Sequence, residues 1–145
     1  MSDAPNLPWP RVEEGAERAT PETVVRAYVL AMEAWEAKGH ARSLEAARDP
    51  AFWAEQREIV ARCCTRRERA YPFASYGTPS KHAGADRLLS VTRPSAARAV
   101  VIVLHFNGVD DWEHRFAVHR KGGEWRIDNL KSRLRGTETW GRDIL

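Results

Sequence analysis

His114 and Asn129 are polar residues that fall on an otherwise apolar strand face in the C-terminal half of this 145-residue chain. On neighbouring strands the two sit diagonally, near enough to line one cavity. A buried histidine there would suit general acid–base work, because its ordinary pKa is about 6.5. Tyr28, on an N-terminal helix, is the third side chain that such a pocket would take in. Spacing places no carboxylate beside them, so no catalytic residue is assigned. The plainer reading has His114 and Asn129 bonded to loop backbone where the strands fray. Stronger signatures are missing: there is no phosphate-binding glycine loop, dinucleotide fingerprint, nucleophile elbow or His-Glu-x-x-His pair. The five histidines, His40, His82, His105, His114 and His119, lack ligand spacing, so neither metal nor cofactor is expected. Cys63 and Cys64 are adjacent, a geometry that a disulfide meets poorly. They read as reduced residues on a helix, one of them facing the core.

Recognition has better candidates than catalysis. Arg115, His119, Arg126 and Asp128 share the opposite strand face with Val101, Val103, His105, Glu113 and Ala117. That mixture suits a wet partner interface better than a dry core. Trp9 and Trp140 lie outside any core pattern. An exposed tryptophan can anchor an interface, and a folded-back tail that buries Trp140 fits equally well. Charge decides less. Lys and Arg number 23 against 20 Asp and Glu, a net of +3. Residues 81–145 supply most of the excess, with twelve basic and eight acidic side chains. The excess is mild and spread over the strands, which argues against a nucleic-acid partner.

Two kinds of element must position these residues. Residues 1–19 are proline-rich and aperiodic and read as a flexible leader, with one domain following over 20–145. Thr20-Pro21-Glu22 is a helix start: a capping side chain, a proline suited to the first turn, and an acid at the positive dipole end. Val24, Val25, Tyr28, Met32 and Trp35 continue at helical spacing, and Gly39 offers a stop near Lys38. A short helical turn is expected over 41–48. Asp49-Pro50 opens a second long helix that runs to about Arg67. Arg62, Arg66, Arg67 and Arg69 at its end complement the helix dipole. Tyr71 to Ala85 reads as a loop with a short edge strand.

Strands are then expected over 87–93, 98–106, 112–121 and 125–133, the last pair joined at Gly122-Gly123. Helices followed by an antiparallel meander make the class α+β. Centring the hairpins on Gly122-Gly123 and on Val109 sets Ile127 opposite Val118, Phe116 opposite Ile102, and Trp112 opposite Phe106. One face then collects Leu89, Val91, Val100, Ile102, Leu104, Phe106, Trp112, Phe116, Val118, Trp125 and Ile127, and the helices must cover it. No apolar run approaches the ~18 residues of a membrane span. The N-terminus lacks the basic flank and apolar stretch of a secretory signal, so a cytoplasmic location is expected.

The Thr-Pro-Glu start with Tyr28 on the first helix, and the closing Gly-Gly turn into Glu124-Trp125-Arg126-Ile127-Asp128, resemble the nuclear transport factor 2-like superfamily. The resemblance covers about Thr20 to Arg133. It implies a curved antiparallel sheet wrapped around the first helix as a cone, with a pocket inside and an outer face that often dimerises. Val24 to Glu36, ending in Met-x-x-Trp-Glu, is similar to immunity proteins of bacterial polymorphic toxin systems. That subgroup implies a protein that binds and neutralises a cognate toxin domain. Enzymes of the same fold pair Asp with Tyr, or His with Asp, in the pocket. Neither pair maps onto this sequence, so an isomerase-, dehydratase- or cyclase-like pocket remains the alternative. A homodimer through the outer face is the third reading.

Overall fold

The computed structural model describes residues 4–67, 69, 76, 79–143 and 145. Three helices come first: α1 (Pro21–Arg42), α2 (Leu44–Ala47) and α3 (Pro50–Cys63). Five strands follow, β1 (Arg87–Ser95), β2 (Arg98–Phe106), β3 (Asp111–Lys121), β4 (Glu124–Leu134) and β5 (Gly141–Asp143), in one antiparallel sheet ordered as in the chain. The architecture is the expected α+β arrangement.

Thr20 caps α1 reciprocally with Thr23: its hydroxyl accepts from the Thr23 N–H at 3.1 Å, and the Thr23 hydroxyl accepts from the Thr20 N–H at 3.0 Å. The helix runs through Gly39 instead of ending there. A Cβ at Gly39 would sit 2.5 Å from the Tyr76 ring and 2.9 Å from Phe52, so glycine serves close packing, not termination. Helix α3 stops four residues before the expected Arg67, because Cys64 turns away to pair with Ile127 of β4. Both cysteines are free thiols and both are buried. Trp35 locks α1 to α3 by stacking on Phe52 at 4.4 Å and donating its indole N–H to the Phe52 carbonyl at 2.8 Å.

Val24, Val25, Tyr28, Val29 and Met32 of α1 pack on the inner sheet face against Val101, Val103, Phe116, Val118, Ile127 and Leu130. This core corrects the strand map in two places. Between β2 and β3 the register is one residue off the expected one: Phe116 faces Val101, and Trp112 faces His105. The loop is four residues long, Asn107 to Asp110, and the Asn107 side chain accepts from the N–H groups of Val109 and Asp110. Its centre therefore lies between Gly108 and Val109, not on Val109. The slip turns all of β2 over. Ala99, Val101, Val103 and His105 face inward, while Val100, Ile102, Leu104 and Phe106 face outward, Phe106 being 62% exposed.

The second correction is a bulge. Ala117 pairs with Asn129 and Val118 with Ile127, which leaves Asp128 as the extra residue of β4. Trp125 and Ile127 face inward before it, Leu130 and Ser132 after it. A smaller irregularity at Leu89 moves that side chain outward, beside Ala4 and Leu104. Residues 4–19, expected as a leader, contact the sheet at several points. Leu7 bridges Leu88, the Trp9 indole donates to the Asp86 carbonyl at 2.9 Å, and Arg18 pairs with Glu124 at 2.6 Å. Residues 79–86 are loop; the rest of the expected loop and its edge strand fall mostly outside the described residues.

Candidate functional site

The inner face carries a polar cluster that the slipped register had concealed. His105 points inward from β2, and Asp86 sits in the turn just before β1. The His105 Nδ1 is 2.6 Å from the Asp86 carboxylate, and its Nε2 is 2.8 Å from the Ser80 carbonyl. A carbonyl only accepts, so Nε2 donates to Ser80, and while Asp86, raised by burial, is ionised, Nδ1 donates as well and the ring is an imidazolium. Burial works against that charge, but the Asp86 hydrogen bond and charge prevail and hold His105 above its usual range. Asp86 is 5% exposed, and a pair this dry is stable only while both partners stay.

Two neutral histidines complete the cluster. His114 stacks on His105 with centroids 5.5 Å apart, and burial, then the His105 charge, push its pKa down to about 3. His82 lies between Tyr28 and His114, at 5.3 and 5.6 Å, and burial drives it well below its ordinary value. Each leaves Nδ1 without a hydrogen bond among the described residues, as does the Tyr28 hydroxyl. Beside them opens a pocket of about 220 Å³ whose lining includes Lys81, His105, Trp112, His114, Ser132 and Asp143. Asp143 is already engaged, pairing with Lys81 and accepting from the Ser132 hydroxyl.

Of the three expected pocket residues, only His114 lines this space. Tyr28 is fully buried in the core against His82 and Phe116. Asn129 is a correction: the bulge at Asp128 puts it opposite Ala117 on the outer face, away from His114. Chemically the cluster is poor in usable bases. His105 has both nitrogens committed, and a histidine with a pKa near 3 is a weak proton acceptor at neutral pH. No metal-binding group of three or more His, Cys, Asp or Glu occurs among the described residues.

The outer face sorts its expected residues into bonded and free. Arg126 donates to the carbonyls of Ala61 and Arg62 at 2.9 and 3.3 Å, capping the end of α3. Asp128 accepts from the Thr65 hydroxyl at 2.8 Å and pairs with Arg67 at 3.2 Å. Burial opposes its charge, but these partners and His119 hold its pKa below the usual carboxylate value. His119 lies 3.0 Å from Arg98 through Nε2, which must accept there. Trp140 is half-buried beneath the Arg133 guanidinium at 4.1 Å, and Arg133 pairs with Glu113 at 2.6 Å. The Arg115 side chain makes no hydrogen bond or ion pair with any described residue. Sequence reasoning did not single out its neighbours Lys131 and Arg142 on β4 and β5.

The matching segment of the chain bears on these two faces. A family model described as NTF2 fold immunity protein matches residues 20–143, from the Thr20 cap to the end of β5. The chain belongs to this family. It is thus an immunity protein by family, and its helices and whole sheet lie within the match. No curated protein and no solved structure matches it. Among the described residues of this immunity protein, no helix is long and apolar enough to cross a membrane.

Proposed function

We propose that this immunity protein binds a cognate toxin domain and neutralises it by occlusion, with the outer sheet face as the contact surface. Membership of the NTF2 fold immunity family is the observation that carries the reading. The chemistry of the outer face supports it. Val100, Ile102 and Ala117 form a half-buried apolar centre, and Arg98, Arg115, His119, Lys131 and Arg133 stand around it. An apolar centre within a polar rim is the usual anatomy of a partner interface. Buried free thiols at Cys63 and Cys64 are compatible with a reducing cytoplasm.

The tagged chain, recovered from its own cells, should bring down a larger protein whose terminal domain arrests growth when expressed alone. Co-expression of this chain should restore growth. Failure to restore growth against every captured domain would remove the reading. Within it, Arg115→Glu should weaken the toxin complex at least about tenfold with little change in Tm. Arg126 is the poorer probe, because its loss would also uncap α3.

The pocket favours a second reading only weakly. At about 220 Å³ it is smaller than the ~300–1,000 Å³ of ordinary small-molecule sites. A homodimer through the outer face meets a different obstacle. A twofold axis near Arg115 would bring basic side chains onto their own copies.

A further inference from the structure

Arg115, Lys131 and Arg142 lie directly opposite one another across three strands: Arg115 pairs with Lys131, and Lys131 with Arg142. Residues paired in this way share a sheet face. With strands about 4.8 Å apart, the three Cα atoms fall within roughly 10 Å. Like charges directly opposite each other destabilise a sheet. No carboxylate among the described residues relieves them. Glu113 is taken by Arg133 and Arg135, Asp128 by Thr65 and Arg67, and Glu124 by Arg18. Asp111 sits at the loop end of β3, four residues from Arg115. None of the three basic side chains has a hydrogen bond or ion pair among the described residues.

We propose that Arg115, Lys131 and Arg142 are the recognition row for an acidic patch on the partner protein, with Ile102 and Val100 as the apolar ledge beside it. This deepens the immunity reading and rests on it for the partner's identity. Carboxylates at successive turns of a helix, or opposite each other on two strands, are spaced about 5–6 Å apart and match the row. The ledge favours a protein over a nucleic acid, whose backbone presents phosphate without apolar surface. The cost of the row in the free chain is returned when carboxylates enter it, so binding and stability pull in opposite directions at Lys131.

That opposition is testable on the whole chain. The ¹⁵N-labelled protein is titrated with a hexaglutamate peptide and, separately, with a short DNA duplex. The peptide should shift the amides of 115, 131 and 142 before any others. Lys131→Glu should weaken the peptide at least about tenfold and at the same time raise Tm by roughly 2–4 °C, because two repulsive pairs become attractive. Lys131→Gln should weaken the peptide less and raise Tm by a smaller step, because it removes the two repulsions without adding attraction. Unchanged peptide affinity in Lys131→Glu, shifts centred on Arg62 and Arg66, or a tighter fit of the duplex on the same row would each overturn the proposal. Against a captured toxin the two readings separate. A Lys131→Glu chain that still neutralises it removes the row and keeps the immunity function. A row that binds the peptide in a chain that captures no toxin keeps the row and removes that function.

Discussion

On the inner face of the sheet the ionisable groups are buried and the one charged pair, His105 with Asp86, is bonded, whereas on the outer face of the same strands three basic side chains stand in line without a counter-charge among the described residues. His105 and Arg115 show the difference within one hairpin. His105 faces in, bonded to Asp86 and to a carbonyl, and its removal would strand a buried charge. Arg115 faces out, and the outward carboxylate two residues before it, Glu113, is already covered by Arg133 and Arg135. The inner arrangement serves folding, since it ties β2 to the segment before β1 through Asp86 and Ser80. The outer arrangement works against folding, which is why it points to something outside the chain. An ionisable group thus suggests function most strongly where the fold gains nothing from it.

Breaking the inner face should have the largest effect. Asp86→Asn leaves the His105 charge without its partner and should cost about 3–5 kcal/mol by chemical denaturation. Phe116→Ala should cost a similar ~3–5 kcal/mol, while Arg115→Ala, one residue away on the other face, should change stability by no more than about 0.5 kcal/mol. Comparable losses from Phe116→Ala and Arg115→Ala would undo the assignment of faces.

Acid should sharpen the contrast next. A histidine whose folded pKa lies below its unfolded value stabilises the fold above about pH 6.5, and that stability is lost as pH falls. With His114 at about 3, its share of the loss is ~2 kcal/mol at pH 5. His82 acts in the same direction. Two groups act in the opposite direction. His105, raised against burial by Asp86, adds stability as pH falls towards about 6.5, and Glu36, raised to about 6 by burial against the pull of the Lys81 N–H, adds it below that pH, so the net loss is read below about pH 6.5. Denaturation from about pH 6.5 to pH 5 should therefore show falling stability, and His114→Phe should reduce the slope by about one proton. An unchanged slope would mean that His114 is charged in the folded chain. A smaller effect belongs to the outer face: Trp140→Ala should cost about 0.5–1 kcal/mol through the lost guanidinium contact.

Much of this architecture was legible in the sequence, and the parts that were not have specific causes. The caps at Thr20 and Asp49 announced α1 and α3, and β2 carries the expected bounds. The phase of β2 was not legible, because Ala99 to Leu104 is apolar at every position and gives no alternation to read. Only the Asn107 turn sets it. That phase also hid the His105–Asp86 pair, since His105 was counted on the opposite face and Asp86 lies in a loop. Asn129 was misplaced because a bulge adds a residue without any mark in composition. Three residues of polar sequence gave no sign of β5, so the row through Arg142 could not be seen either. Arg115 needed only the parity of β3, where Phe116 and Val118 fix the inner face.

The paired thiols at the end of α3 carry one more consequence. Cys63 and Cys64 are 1% and 0% exposed, and burial raises both above the ordinary thiol range. A thiolate is the species that alkylating reagents attack, so the folded chain should be almost inert to them. Modification then waits for the junction between α3 and β4 to open. Its rate becomes a clock for that opening, read without any added label, and it should slow when a bound partner holds the sheet closed.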